Sequence, residues 1–171
     1  MSTPVRIGVV GCGSVMQRPY TGQINQLKQR GLLDTVVACD VKEERREKML
    51  GIDFGYQRFT TDFEEVVSAD DVDIVLITTS MQEHAMITKA ALEAGKHVLV
   101  EKPMGTTLEE AAEIVELAKK SPGHLVPAPH VILSPTYQKM WRHIHRGDIG
   151  QPYLARAFYG WAGPSWGQWF Y

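Results

Sequence analysis

The feature that most constrains the fold is the run Ile74-Val75-Leu76-Ile77, four apolar residues without polar alternation. A strand apolar on both faces has to be covered on both faces, and parallel sheets flanked by helices do this. The same texture recurs along the chain. Candidate strands Arg6–Val10, Thr35–Cys39, Ile74–Thr78, His97–Val100 and Leu125–Ala128 alternate with longer amphipathic segments. Three of these segments open with capping-box spelling, Thr61…Glu64, Ser80…Glu83 and Thr107…Glu110. Ala85, Met86, Ala90 and Leu92 supply the apolar side of one predicted helix, and Leu108, Ala111, Ala112, Val115 and Ala118 that of the next. Gly95 suits a helix stop.

This order predicts an α/β fold, a doubly wound parallel sheet of Rossmann type. Right-handed crossovers bring the C-terminal ends of all strands to one edge. Gly11, Asp40, Thr78, Glu101 and Lys102 then meet in one crevice. A domain over residues 1–125 is expected. Residues 126–171 read differently. Ser134-Pro135 opens a helix whose Tyr137, Met140, Trp141 and Ile144 recur at helical spacing. The segment 151–171 holds eight of the fifteen aromatic residues, which marks it as core material rather than linker. Sugar stacking is the other use of such rings. A strand is expected over 153–159, and one strand cannot bury its own face. Residues 126–171 are therefore read as a linking helix and the start of a truncated α+β substrate domain. Self-association through this C-terminal sheet region is expected.

Bulk properties exclude several classes. A net charge of −2 and a pI near 6.3 provide no basic field for nucleic acid. No apolar stretch approaches the ~20 residues of a membrane span, and the N-terminus does not read as a signal peptide. Cys12 and Cys39 are too few for a disulfide framework and suit buried thiols in a reducing, cytoplasmic setting, with redox pairing as the alternative. His143 and His145 point to different faces of one helix, so no metal is expected there.

The strand Arg6–Val10 runs straight into Gly11-Cys12-Gly13-Ser14-Val15-Met16. This is the G-x-G-x-x-G dinucleotide pattern with Met16 in place of the third glycine. Gly11 suits the tight turn, Gly13 the close approach of a pyrophosphate, and the helix N-terminus its charge. Met16 and Pro19 together predict a displaced helix start. Asp40 ends the second strand at the spacing of an acid that binds the adenine ribose of NAD; a helix N-cap is its other reading. Such an acid repels the 2′-phosphate of NADP, but Lys42, Arg45 and Arg46 follow, so NADP stays open as a second cofactor, although the run 42–48 reads first as a solvated helix face.

The stretches VRIGVVGCG, VDIVLITTSMQEH, GKHVLVEKPM and RGDIGQPYLARAFY, in this order, make the chain similar to the Gfo/Idh/MocA oxidoreductases, the glucose–fructose oxidoreductase and inositol dehydrogenase group. The resemblance implies an NAD(P)-dependent hydride transfer on a sugar, polyol or related hydroxyl substrate. It implies that residues 11–16 form the pyrophosphate loop and that Thr78, Thr79 and Ser80 line the nicotinamide side. His84 matches the histidine after that turn, where a local hydrogen bond is the alternative role. Glu101 and Lys102 match the Glu-Lys-Pro motif, with Lys102 as the catalytic candidate. An ion pair with Glu101 or a plain surface lysine is the alternative at Lys102. His130 stands where the family has an asparagine, and the two arginines that follow it there are replaced by Val131 and Ile132. The family's proton-transfer partner falls beyond Tyr171. The rival reading is a non-catalytic dinucleotide-binding or sensing module, or an inactive truncated remnant.

Overall fold

A computed structural model describes residues 3–52, 54–158 and 160, with His130 described by its backbone alone. It divides into two compact units, residues 1–130 and 131–171. The first unit alternates strand and helix throughout. Strand β1 (Val5–Val10) leads through a π-helical turn (Met16–Tyr20) into α1 (Thr21–Gln29). Then follow β2 (Leu33–Cys39), α2 (Arg45–Gly51), β3 (Arg58–Thr60) and α3 (Glu64–Val67). The second half has β4 (Ile74–Ile77), α4 (Met81–Glu93), β5 (His97–Val100), α5 (Leu108–Lys120) and β6 (Leu125–Pro127). All five neighbouring strand pairs are parallel, in the order β3-β2-β1-β4-β5-β6. That order reverses direction between β1 and β4, so a crevice opens there beyond the strand ends.

The apolar runs separate their side chains onto two cores. Val75 and Ile77 face a cluster with Val66, Ala85, Ile87, Ala91, Leu92, Val98, Val100 and Ile114. Leu76, between them, faces the opposite cluster with Ile7, Val9, Met16, Ile24, Met49 and Phe54. Successive strand residues point to opposite faces, which is why this strand tolerates no polar residue.

Several expected details differ. β3 was not anticipated: three residues are too few to show a period, and β2 supplies their ladder. Thr61 does not cap α3. Asp62 Oδ1 accepts from Glu64 N at 2.9 Å instead, closing an Asx turn. Ser80 precedes α4 in extended backbone, yet its hydroxyl makes no cap bond. Thr107 does cap α5, accepting from Glu110 N at 3.1 Å, while the Glu110 carboxylate returns to Thr106 N at 2.7 Å. The buried faces are also rotated. α4 buries Ala85, Ile87, Thr88, Ala91 and Leu92 and leaves Met86 exposed; α5 buries Ile114 and leaves Leu108 exposed. A helix advances about 100° per residue, so a mixed stripe of small and apolar residues fits two neighbouring faces.

The helix after the glycine loop is not displaced. It starts by Ser14 and instead widens into the π turn around Pro19. Proline has no N–H for the usual i→i−4 bond, and one extra residue in the turn absorbs the gap. The widened turn leaves Met16 fully buried in the second core cluster.

The second unit carries a 3-10 turn (His130–Leu133, begun in the first unit) and α6 (Pro135–His145). Ser134 Oγ caps α6 by accepting from Tyr137 N at 3.4 Å. Tyr137, Met140, Trp141 and Ile144 form an exposed apolar stripe. Residues 152–158 adopt no regular element, and Phe158 is fully exposed. The rest of the aromatic segment lies outside the described residues.

Candidate functional site

The site is assembled at the C-terminal ends of β1, β2, β4 and β5. Gly11 leaves β1 with φ +97°, and its backbone lies flat against β4: an added Cβ would stand 2.5 Å from Thr79 N and 2.6 Å from Thr78 C. Only glycine meets both conditions. Thr78 closes the contact from the other side. Its hydroxyl donates to Gly11 O at 2.5 Å and its N–H to Val10 O at 2.8 Å, and the residue is buried. Gly13 is different, because an added Cβ there would meet nothing within 4 Å. The loop thus pairs a residue locked against protein with one that faces open space. A helix start leaves its first amides without acceptors in their own helix, which suits an anion.

Asp40 ties the loop to β2. Its Oδ2 accepts from Cys12 N and its Oδ1 from Lys42 N, both at 2.9 Å. The carboxylate is half-buried at the crevice rim and retains lone pairs for further donors. Gln17, which the motif does not mark, steadies the loop: its Nε2 donates to Cys12 O at 2.7 Å and its N–H to Gly13 O at 3.0 Å. A glutamine one turn into a helix with a loop carbonyl in reach was the available signal. Cys12 and Cys39 are buried free thiols. Burial, and then the charge of Asp40, push both up to about 12, so neither thiol ionises at neutral pH.

On the other side of the crevice, Thr79 is half-buried and Ser80 exposed. Glu101 follows β5, and its N–H donates to Ile77 O at 3.0 Å. Its carboxylate accepts from Tyr20 Oη at 2.7 Å through Oε1 and from Lys102 N at 3.1 Å through Oε2. Glu101 is therefore paired with a phenol and an amide. Burial, and then the Glu101 carboxylate, raise the Tyr20 hydroxyl above the ordinary phenol range. Lys102 is exposed, with a cis bond to Pro103. Among the described residues no ion pair between Glu101 and Lys102 is formed.

His84 is 2% exposed, and both ring nitrogens meet backbone carbonyls. Nδ1 donates to Pro103 O at 2.7 Å, and Nε2 lies 3.3 Å from Thr79 O. It joins the turn after β4 to the loop after β5 through both ring nitrogens. The side chain of His130 lies outside the described ones. His143 Nδ1 pairs with Asp148 at 2.6 Å and His145 Nδ1 donates to Trp141 O at 2.9 Å, consistent with surface and packing roles.

The donor set suits a dinucleotide, with helix-start amides for a pyrophosphate and a carboxylate for ribose hydroxyls. Comparison with known proteins agrees. The family model described as "Oxidoreductase family, NAD-binding Rossmann fold" matches residues 5–127. The 1,5-anhydro-D-fructose reductase of Ensifer adhaerens is 32% identical over 154 residues, covering 90% of this chain and 45% of that one. The myo-inositol 2-dehydrogenase of Thermotoga maritima is 28% identical over 157 residues, covering 89% of this chain and 44% of its own. An NAD binding oxidoreductase from Klebsiella pneumoniae superposes with a TM-score of 0.77 at 25% identity, over 87% of this chain and 40% of that one. The WlbA dehydrogenase of Chromobacterium violaceum, crystallised with NADH and UDP-GlcNAcA, gives 0.74 at 25% identity, over 88% and 42%. The chain spans less than half the length of these relatives. By motif, strand order and similarity over residues 5–127, the chain belongs to the Gfo/Idh/MocA oxidoreductase family and carries its NAD-binding Rossmann domain.

Proposed function

We propose that the chain is the cofactor-binding part of an NAD(P)-dependent oxidoreductase that transfers hydride to or from a carbon of a sugar, polyol or related hydroxyl compound. The observation that carries this reading is the meeting of the open loop at Gly13, the Asp40 carboxylate, the Thr78–Ser80 turn and the Glu101–Lys102 pair at one sheet edge. In this reading the loop amides hold the pyrophosphate, Asp40 receives the adenine ribose, and Thr79, Ser80 and Glu101 bound the nicotinamide side. Nicotinamide, when bound, supplies the hydride chemistry. The Lys102 ammonium orients or polarises the substrate oxygen beside it. His84 joins the turn after β4 to the loop after β5, and Thr78 ties that turn to the glycine loop. His130 is retained as a contact near the nicotinamide on its position in the sequence. The sugar or polyol class is supported by the names of the relatives, among them an anhydrofructose reductase and a myo-inositol dehydrogenase. A reducing, cytoplasmic setting is supported by the two buried thiols.

Isothermal titration of the chain with NADH is expected to show one saturable site; no saturation by about 1 mM rejects the reading. Residues 126–171 are proposed to begin a substrate domain, and a homo-oligomer through this region is part of the proposal. Exposed Leu154 and Phe158 support it. Sedimentation velocity is expected to show mass rising with concentration. A single monomer boundary across a hundredfold range would count against it.

A further inference from the structure

The motif accounts for Glu101 and Lys102, but not for the phenol that reaches them. Tyr20 ends the π turn after β1, whereas Glu101 follows β5. β4 lies between those strands, so their ends are separated by two inter-strand spacings, about 10 Å. The Tyr20 hydroxyl nevertheless lies 2.7 Å from Glu101 Oε1. The bond therefore ties the first βα element to the loop after β5; β1 and β5 are the two strands that flank β4 in the sheet. The π turn makes it possible. One extra residue rotates everything after it by about 100°, so an uninterrupted α-helix would carry residue 20 on a different side.

The other end of the link is equally determined. Glu101 is fixed through its own N–H to Ile77 O and through both carboxylate oxygens, one to Tyr20 and one to Lys102 N. The Lys102 backbone thus hangs from a carboxylate whose rotamer Tyr20 sets. The Lys102 side chain is exposed and has no such restraint of its own.

We propose that Tyr20 is a positioning residue for the nicotinamide end of the site: its hydroxyl clamps Glu101, and Glu101 in turn fixes the backbone from which Lys102 projects. The proposal rests on the reading of Lys102 as the nicotinamide-end residue. It deepens that reading by making the first βα element responsible for two parts of the dinucleotide, the central pyrophosphate through its loop and the nicotinamide end through Tyr20. The glycine loop and Lys102 are then mechanically connected through one hydrogen bond.

The test uses the full chain with Tyr20→Phe, which keeps the ring and removes only the hydroxyl, and with Glu101→Leu, which keeps a side chain of similar bulk and removes both acceptors. Titration with NADH and with ADP-ribose separates the two ends. Tyr20→Phe is expected to bind NADH about fivefold more weakly, the loss of one net hydrogen bond, and Glu101→Leu more weakly still, while both bind ADP-ribose within about twofold of the parent. Equal losses for the two ligands would mean that Tyr20 merely supports the loop, and no loss for either would mean that the clamp is idle; both overturn the proposal. A ligand-free measurement accompanies it. Lysines are dimethylated with ¹³C-formaldehyde, and the Lys102 signal is assigned by its absence in Lys102→Arg. That signal is expected to shift in both variants while the other lysine signals stay in place. If the parent binds neither ligand, the cofactor reading falls, and an unshifted Lys102 signal overturns the clamp independently.

Discussion

Gly11→Ala is expected to lower the melting temperature by about 5–15 °C and to abolish measurable NADH binding. Two costs coincide at this position. The φ of +97° lies in a region that an alanine enters only with strain. The new Cβ would also stand 2.5–2.7 Å from Thr79 N and from Thr78 C and O, which are backbone atoms of a paired strand end and cannot swing aside. Overpacking of this kind costs about 1–3 kcal/mol and the backbone strain about 1–2 kcal/mol more. For a chain of this size each kcal/mol corresponds to roughly 2–4 °C. Gly13→Ala separates folding from binding. Nothing lies within 4 Å of its added Cβ, so the melting temperature is expected to stay within about 1 °C, since surface changes of this kind stay small. NADH affinity is nevertheless expected to fall at least about tenfold, because the methyl occupies the approach of the pyrophosphate. Scanning calorimetry and NADH titration on the two variants check this. Unchanged NADH affinity in Gly13→Ala would remove the loop from the cofactor site.

The second large effect is expected at Asp40. Its carboxylate already holds Cys12 N and Lys42 N, so Asp40→Ala releases the glycine loop as well as the ribose contact. A hydrogen bond to a charged group contributes about 1.5–3 kcal/mol, which corresponds to a roughly ten- to hundredfold loss of NADH affinity. NADPH is expected to suffer less. Its 2′-phosphate gains relief from a carboxylate in the same variant and finds Lys42, Arg45 and Arg46 in the adjacent chain segment. Parallel titrations with both cofactors decide it: an equal loss for the two would assign Asp40 to loop structure alone.

Much of this site is legible in the residues. Gly11 and Gly13 are marked by the strand before them and the helix after them, and Asp40 and Glu101–Lys102 by their places at strand ends. These are local signals, because a strand end and a tight turn are set by a few neighbouring residues. His84 and Tyr20 are not legible in the same way. A histidine in a first helical turn is compatible with a ligand contact or with a backbone bridge. Which one holds depends on Pro103 O, nineteen residues away in sequence. Tyr20 reads as one more residue of an amphipathic helix until the π turn is seen, and its partner is eighty-one residues distant.

The sequence by itself determined the alternation of strand and helix, the parallel sheet and the dinucleotide loop. Apolar period, helix stops and glycine geometry act over fewer than about ten residues and leave their mark on neighbouring letters. The tertiary structure alone decided which face each helix buries, the pairing of the short β3, the bridging role of His84 and the Tyr20–Glu101–Lys102 chain. Each of these rests on atoms from segments far apart in sequence, whose meeting is set by the order of strands in the sheet and by one widened turn at Pro19. A helix stripe that fits two faces, or a phenol that fits any surface, acquires a single role only when the packing around it fixes the rotation.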